Sequence, residues 1–456
     1  MAEKAGPIAT RDTRAIVDPT GAPAGGRGSI LPPTILLALV AVALAVVATS
    51  GGLLEAVLAC GAAAYILVLV IIGRERTAVL TLMAAFATAP MYKGLAPAGS
   101  TATPTDGLLV LGFLLLIPNL LRGRLRLPLT YVIGVSIITI AGLVATVLSE
   151  EQLLSAIALV FWLAVMIGLP AFIIMWAPSS RVLQILAWSY VIGHFISWAG
   201  GIAQGHVTNG RHFGMTNHPN FFGQAALMSV GLLIYLLFRH RSTIGRVCVL
   251  GAAALCGISI MFSGSRAAVL VVAGVFVLFP LVERSALSGL LMGLVAGLGV
   301  ACLPLVVELG ADIPAIERLL GNESTAGSNI ARSEGVETAV DRFWASPWFG
   351  DGLIDLFDIH NNFLEVLVGI GVVGTVGYLF VIFAFARPLF SSSVHRRLCY
   401  AMWIYVAWGF FVPSLYDRSI WIPIAMSAIA WFTPSSTDEA EPAGRTPSGS
   451  AATAAA

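Results

Sequence analysis

Apolar residues along this chain neither alternate nor recur at one helical face. They run on, interrupted only by short polar connections. Such runs fall at 34–49, 52–73, 77–92, 106–121, 128–148, 153–177 and 182–204, and again at 219–238, 245–262, 266–282, 286–309, 361–386, 398–412 and 418–433. A helix crossing a bilayer core needs about 20 predominantly apolar residues, so the pattern predicts an all-α polytopic membrane protein with about 12–14 transmembrane helices. A β-barrel is excluded, because its strands alternate apolar and polar positions. Residues 1–30 and 434–456 mix Gly, Ala, Pro and charge without periodicity. They read as disordered cytoplasmic tails flanking a membrane domain over 31–433. The late start of the first run does not suit a cleaved signal peptide, so that run is expected to be retained as a span.

Composition agrees. The 456 residues are 58% hydrophobic and 11% charged, with a mean hydropathy of +0.90, where a soluble domain carries about 25% charged residues. An ordinary soluble enzyme and a nucleic-acid binder are thereby excluded. With a net charge of only +1, the charges matter by position. Placing both termini in the cytoplasm puts eighteen of the 25 Lys and Arg residues inside and leaves seven outside: Lys93, Arg211, Arg266, Arg318, Arg332, Arg342 and Arg418. That distribution follows the positive-inside rule. The five cysteines fall in or beside apolar runs without metal-site spacing, and read as packing residues.

The seven outside cations draw attention to the one long connection, 310–360, since long loops that are not linkers are usually functional. Within it, Val336, Val340, Phe343 and Trp344 recur at helical spacing and predict an amphipathic helix over 329–344. Trp344 and Trp348 suit an interfacial aromatic belt. Three further segments lead from the outside directly into spans: GRHFGMTNHPNFFGQ at 210–224, FSGSRAAVL at 262–270 and DIHNNFLEVLVGIGVVGTVGYLF at 358–380. Pro219 suits a first helical turn, Ser263 or Ser265 an N-cap, and Asn361 or Asn362 another.

Basic groups stand at those helix starts: Arg211 with His212 and His218, Arg266, and His360. A helix N-terminus disfavours cations, so their accumulation points to a compensating anion, and a phosphate or pyrophosphate fits. Each residue also has a structural use. Arg266 can snorkel to headgroups, His360 can be a hydrogen-bonded loop residue, and His194 within a span can be packed and satisfied. Glu365 lies on the helix face of Asn361 and can orient its neighbours. Asp351, Asp355 and Asp358 beside His360 have the residue types for a divalent ion, but an Asp-rich loop is more often solvated. No nucleotide-binding, zinc-protease or calcium-loop motif occurs. Neither a metal nor another cofactor is expected.

These segments also carry a family resemblance. SGSR followed by small apolar residues resembles the SxSR motif of the O-antigen ligase and O-antigen polymerase superfamily. HNNFLEVLVGIGVVGTVG is similar to its HNxxL…E.G..G pattern, GRHFGMTNHPNFFG to its R..G…NPN segment, and ARSEGVETAVDRFWASPWFGDG to its R…W…P..G.G stretch. Together they cover about residues 205–385. The resemblance implies a GT-C-like bundle with a long extracytoplasmic loop carrying short helices, in a bacterial cytoplasmic membrane. It implies metal-independent transfer of a glycan from an undecaprenyl or other polyprenyl diphosphate carrier to an acceptor hydroxyl on a glycan or lipid. By motif position His360 would be the general base, and Arg211, Arg266 and Arg332 would bind the diphosphate. His212, His218, Asn220, Ser263, Ser265, Asn361, Asn362 and Glu365 would support them.

The motifs do not separate a ligase, which passes glycan to a new acceptor, from a polymerase of lipid-linked repeat units. A solute or polysaccharide transporter should show internal repeats and interrupted spans at mid-membrane. The two halves here show no such correspondence, and the polar residues gather toward the outer ends of the runs.

Overall fold

The computed structural model describes residues 53–96, 102–301, 304, 308, 314–319, 323–354, 356 and 359–432. The first expected span (34–49), both tails, Cys302, Asp355 and Asp358 lie outside them. Two units are distinguished, with the boundary after Gly73. The described part of the first is helix α1, Leu53–Ile72. The second unit contains all the remaining elements.

In the second unit, α2 (Arg74–Thr88) tightens into a 3₁₀ turn at Ala89–Leu95, and α3 (Pro104–Leu120) starts from a Thr103/Asp106 capping box. There follow α4 (Leu129–Leu148), then α5 (Gln152–Leu163) joined through a π turn at Ala164–Gly168 to α6 (Leu169–Trp176), and α7 (Ser180–Ala203). A small hairpin, β1 (Val207–Thr208) and β2 (Arg211–His212), precedes α8 (Pro219–Arg239), α9 (Thr243–Ser263), α10 (Arg266–Glu283) and α11 (Ala286–Ala301). The long connection carries α12 (Pro314–Leu319) and α13 (Glu323–Ala345). The chain closes with α14 (Asn362–Ala386), α15 (Tyr400–Gly409) and α16 (Arg418–Ser427).

Among the described residues eight helices are long and apolar enough to cross a membrane, and three shorter apolar helices accompany them. The fold is thus an all-α polytopic membrane protein, as the runs predict. The runs at 398–412 and 418–433 yield only the ten-residue helices α15 and α16, each too short to span alone.

Glycine decides how closely the helices approach. α14 crosses α4 where Gly134 and Gly377 face each other; a Cβ on either would lie 2.7 Å from the other's carbonyl oxygen. Without a hydrophobic driving force between helices in lipid, such small-residue contacts supply the packing. α14 is also broken. Gly371 adopts φ 67°, ψ −172°, a conformation open essentially to glycine, and a Cβ there would collide with the backbone of Trp348 and Phe349.

The segment after α13 fills that break. The Pro347 and Trp348 carbonyls accept hydrogen bonds from the amides of Val372 and Val373, while the amides of Asp351 and Gly352 donate to Val368 and Gly369. Irregular backbone at this depth is tolerated because its polar groups are paired within the protein. Arg342 completes the clamp, donating to both carboxylate oxygens of Asp351 at 2.8 and 2.9 Å and to the Ile354 carbonyl. Asp351, considered above for a cation, is thus committed to Arg342.

Two expectations change. The helix in the long connection begins earlier than 329 and turns a different face inward. Val336, Val340 and Trp344 are exposed, whereas Gly335 and Ala339 are buried, since small residues allow α13 to approach its neighbour. Of the cysteines, Cys256 and Cys399 are buried as expected, but Cys60 and Cys248 are exposed on helix surfaces.

Candidate functional site: an arginine-lined cavity with a histidine

The sequence brings distant segments to one end of the bundle. The dipeptide Asn209–Gly210 forms the two-residue turn of the hairpin, with φ of 50° and 72°. Two left-handed residues define a type I′ turn, for which Asn-Gly is the preferred sequence. Arg211 is the residue immediately after that turn. Its Nε donates to the Ser263 carbonyl at 2.9 Å and its Nη2 to Asn220 Oδ1 at 3.0 Å. Asn220 is in turn fixed by the start of α8, where His218 is the N-cap, Pro219 opens the helix, and His218 Nδ1 accepts from the Asn220 amide at 3.1 Å.

The SGSR segment is the two-residue link between α9 and α10. Gly264 caps α9 in the left-handed conformation (φ 61°), and Ser265 caps α10 by accepting from the Ala268 amide. Ser263 and Ser265 are both buried, with side chains that serve the link itself. What the link offers the cavity is its carbonyls: Ser263 takes Arg211, and Gly264 takes Arg318 Nη1 at 3.2 Å. The arginines therefore gather at the negative C-terminal end of α9, which favours cations. Arg211 thus stands at the start of α8, through Asn220, and also reaches the carbonyl end of α9.

A cavity of about 620 Å³ opens between these segments. Of the residues singled out from the sequence, it is lined by Arg211, His218, Asn220, Arg332 and His360, brought from three separate segments. Arg318 and Glu317 from α12 line it too, and the motif reading did not select them. Arg266 does not line it, but its charge acts on Arg211, Arg318 and Arg332. His212 pairs with Val207 in the hairpin and packs its ring on Phe262, away from the lining.

The electrostatics are those of a cavity crowded with cations. Burial, followed by the charges of Arg318, Arg332 and Arg266, pushes the Arg211 pKa down to about 9. It still carries its charge at neutral pH. Burial and neighbouring guanidiniums lower Arg318 and Arg332 in the same way. Arg318 is 9% exposed, and its Nε has no hydrogen-bond partner among the described residues. Partial burial lowers His218 to about 4, helped by Arg211, His360, Lys93 and Arg318, so it is neutral at pH 7. A bound anion would relieve all of these repulsions at once.

His360 stands at the rim in the left-handed region, φ 55°. A non-glycine residue there costs about 1–2 kcal/mol, which the next residues offset. Asn361 caps α14 by accepting from the amides of Phe363 and Leu364. Asn362 is fully buried and exchanges two hydrogen bonds with Ser414, at 2.7 and 3.0 Å. These two asparagines set the backbone that presents His360.

The interior also holds buried polar groups, among them a Lys93–Asp417 pair that no motif reveals. Lys93 pairs with Asp417 at 2.9 Å and sits 3.2 Å from the centroid of the Phe221 ring. Asp417 also accepts from Tyr92 at 2.6 Å and from Gln224 at 3.3 Å. Glu365 is 3% exposed, and its Oε1 makes no hydrogen bond among the described residues. His194, inside α7, bonds through Nε2 to Ser259 at 2.9 Å, while its Nδ1 has no partner among the described residues.

The structure is thus an all-α membrane bundle with one cavity lined by three arginines and by His360. Residues 251–379 match the family described as O-antigen ligase. The chain carries a domain of that family, and its resemblance to the O-antigen ligase and polymerase superfamily stands. The matched stretch includes Arg266, Arg318, Arg332 and His360; Arg211 and His218 precede it. No curated protein matches the chain.

Proposed function

We propose that the protein is a membrane glycosyltransferase of the O-antigen ligase type, moving a glycan from a polyprenyl diphosphate carrier to an acceptor hydroxyl on the outer face of the bacterial cytoplasmic membrane. The observation that carries this reading is the shared cavity, in which Arg211, Arg318 and Arg332 line the same space as His360. Arginine forks suit phosphoryl oxygens, and a histidine within reach suits proton transfer.

In this reading the acceptor oxygen forms a bond to the anomeric carbon as its proton passes to His360. The bond from that carbon to the diphosphate oxygen breaks, and its electron pair leaves with the diphosphate. The charge that develops there meets Arg211, Arg318 and Arg332, with Arg266 adding to the field. Positioned cations of this kind act without reorganising during the reaction. A diphosphate is a good leaving group, so orientation of the two substrates is the rest of the task. No metal is given a role.

The test is to incubate purified protein with a polyprenyl-diphosphate oligosaccharide and candidate acceptors, and to weigh every lipid product by mass spectrometry. Glycan on a new acceptor is the expected result. A longer glycan on the same carrier would make the protein a polymerase. Carrier binding without any glycan movement would overturn the proposal.

A further inference from the structure

A second cavity shares no lining residue with the first. It is a groove of about 380 Å³ between α3 and the α5–π–α6 rod. On α3, Val110, Phe113 and Leu114 line it; opposite them, the π turn contributes the small residues Ala164 and Gly168, with Phe172 further along. Val110 and Leu114 are 60% and 53% exposed. Phe113 and Phe172 stack across it, centroids 4.4 Å apart. From Asp106 to Ile117, both in its lining, α3 rises about 16 Å, roughly half of a bilayer core of about 30 Å.

One end alone is polar. There Arg418, 8% exposed, lines the groove beside Asp106. Asp106 is fully committed: Oδ2 accepts from the Thr103 amide and hydroxyl, and Oδ1 accepts from Arg418 Nε at 2.9 Å. Among the described residues, Arg418 makes a side-chain hydrogen bond only through Nε. Its guanidinium carbon lies 5.4 and 5.6 Å from the rings of Phe161 and Tyr92, which leaves the Nη edge to meet a ligand.

An apolar groove with exposed Val110 and Leu114 along it and one guanidinium at its end has the chemistry to recognise a phosphate carrying a hydrocarbon chain. We infer that this groove is a binding site for a bilayer phospholipid, with its phosphate on Arg418 and one acyl chain between α3 and the π turn. Phospholipid is the chosen source because it surrounds the protein at overwhelming concentration, so even a modest affinity fills the site by mass action. A scarce carrier lipid lacks that advantage, and the arginine cavity that suits its diphosphate is lined by other residues. The lipid would tie α3, α5–α6 and the start of α16 together. Asp417, which precedes Arg418, pairs with Lys93, so the lipid would also steady that buried pair.

The full-length protein in detergent tests this by native mass spectrometry and thermal melting with added phosphatidylglycerol, diacylglycerol or a polyprenyl monophosphate. The expected result is one retained phosphatidylglycerol, a raised melting midpoint, and weaker retention of diacylglycerol. Val110→Trp, at an exposed position, should fill the groove and abolish both effects while leaving the lipid-free midpoint unchanged. Arg418→Gln, if it folds, should hold phosphatidylglycerol and diacylglycerol alike. The inference is overturned if no phospholipid is retained, if Val110→Trp retains it as well as wild type, or if diacylglycerol binds wild type equally. It is also overturned if polyprenyl monophosphate displaces phosphatidylglycerol at equal amounts, or if Val110→Cys crosslinks to cysteines placed in residues 34–49.

Discussion

Gly264→Ala is the sharpest perturbation of the arginine cavity, because one methyl group acts on two of its walls. An added Cβ would stand 2.9 Å from both Cγ and Nε of Arg211 and 3.1 Å from Cβ of Pro314, which opens α12. At φ 61° an L-residue costs about 1–2 kcal/mol. Displacing Arg211 also loosens its charged hydrogen bond to Ser263, a class of bond that contributes about 1.5–3 kcal/mol. If Arg211 contacts the diphosphate with similar strength, affinity should fall about 10- to 100-fold. The assay is calorimetric titration with inorganic pyrophosphate and with a polyprenyl diphosphate, beside thermal melting. Gly264→Asn separates the causes. Asparagine accepts the left-handed backbone better but brings the same Cβ, so it should recover stability and remain weak in binding. A well-folded Gly264→Ala protein with wild-type pyrophosphate affinity would refute the reasoning.

Other predictions follow from single residues. His360→Asn, which tolerates a left-handed backbone, should lower transfer about 10²–10⁴-fold with carrier binding retained, whereas Arg266→Ala should weaken both; single-turnover rates and binding titrations separate them. Gly371→Ala should destabilise by about 2–6 kcal/mol, combining backbone strain with overpacking against Trp348, and a melting midpoint close to wild type would contradict the break in α14. His218→Asn keeps a residue favoured at an N-cap and should leave the shape of the pH–rate profile between pH 5 and 8 unchanged. The His218 pKa near 4 keeps the folded protein from protonating it there, and a lost or shifted limb would count against that. Activity should survive exhaustive chelation; a loss restored by a divalent ion would return Asp351 and its neighbours to consideration.

What could be read from the sequence was what local chemistry sets. The apolar runs gave the helices, and Pro219, Ser265 and Asn361 marked three helix starts because capping depends on a residue and its own next turn. The Asn209–Gly210 turn was equally legible. It passed unnoticed because its strands are only two residues long, too short for alternation to show. Arg318 could not be chosen from its surroundings in the chain, since its partner Gly264 is 54 positions away. Nor can the chain show that Arg211, beside the start of α8, also reaches the carbonyl end of α9, because Ser263 lies 52 positions away. The break at Gly371 was hidden inside a continuous apolar run, where a left-handed glycine looks like any other. The Lys93–Asp417 pair joins two runs at opposite ends of the chain, so no spacing rule could have found it.

The central claim is that one cavity holds the carrier's diphosphate beside the histidine that takes the acceptor's proton. A structure of the full-length protein bound to a polyprenyl diphosphate tests it most directly. The account predicts the two phosphoryl groups among Arg211, Arg318 and Arg332, with the first sugar next to His360. A diphosphate bound at Arg418, or anywhere out of reach of His360, would contradict it.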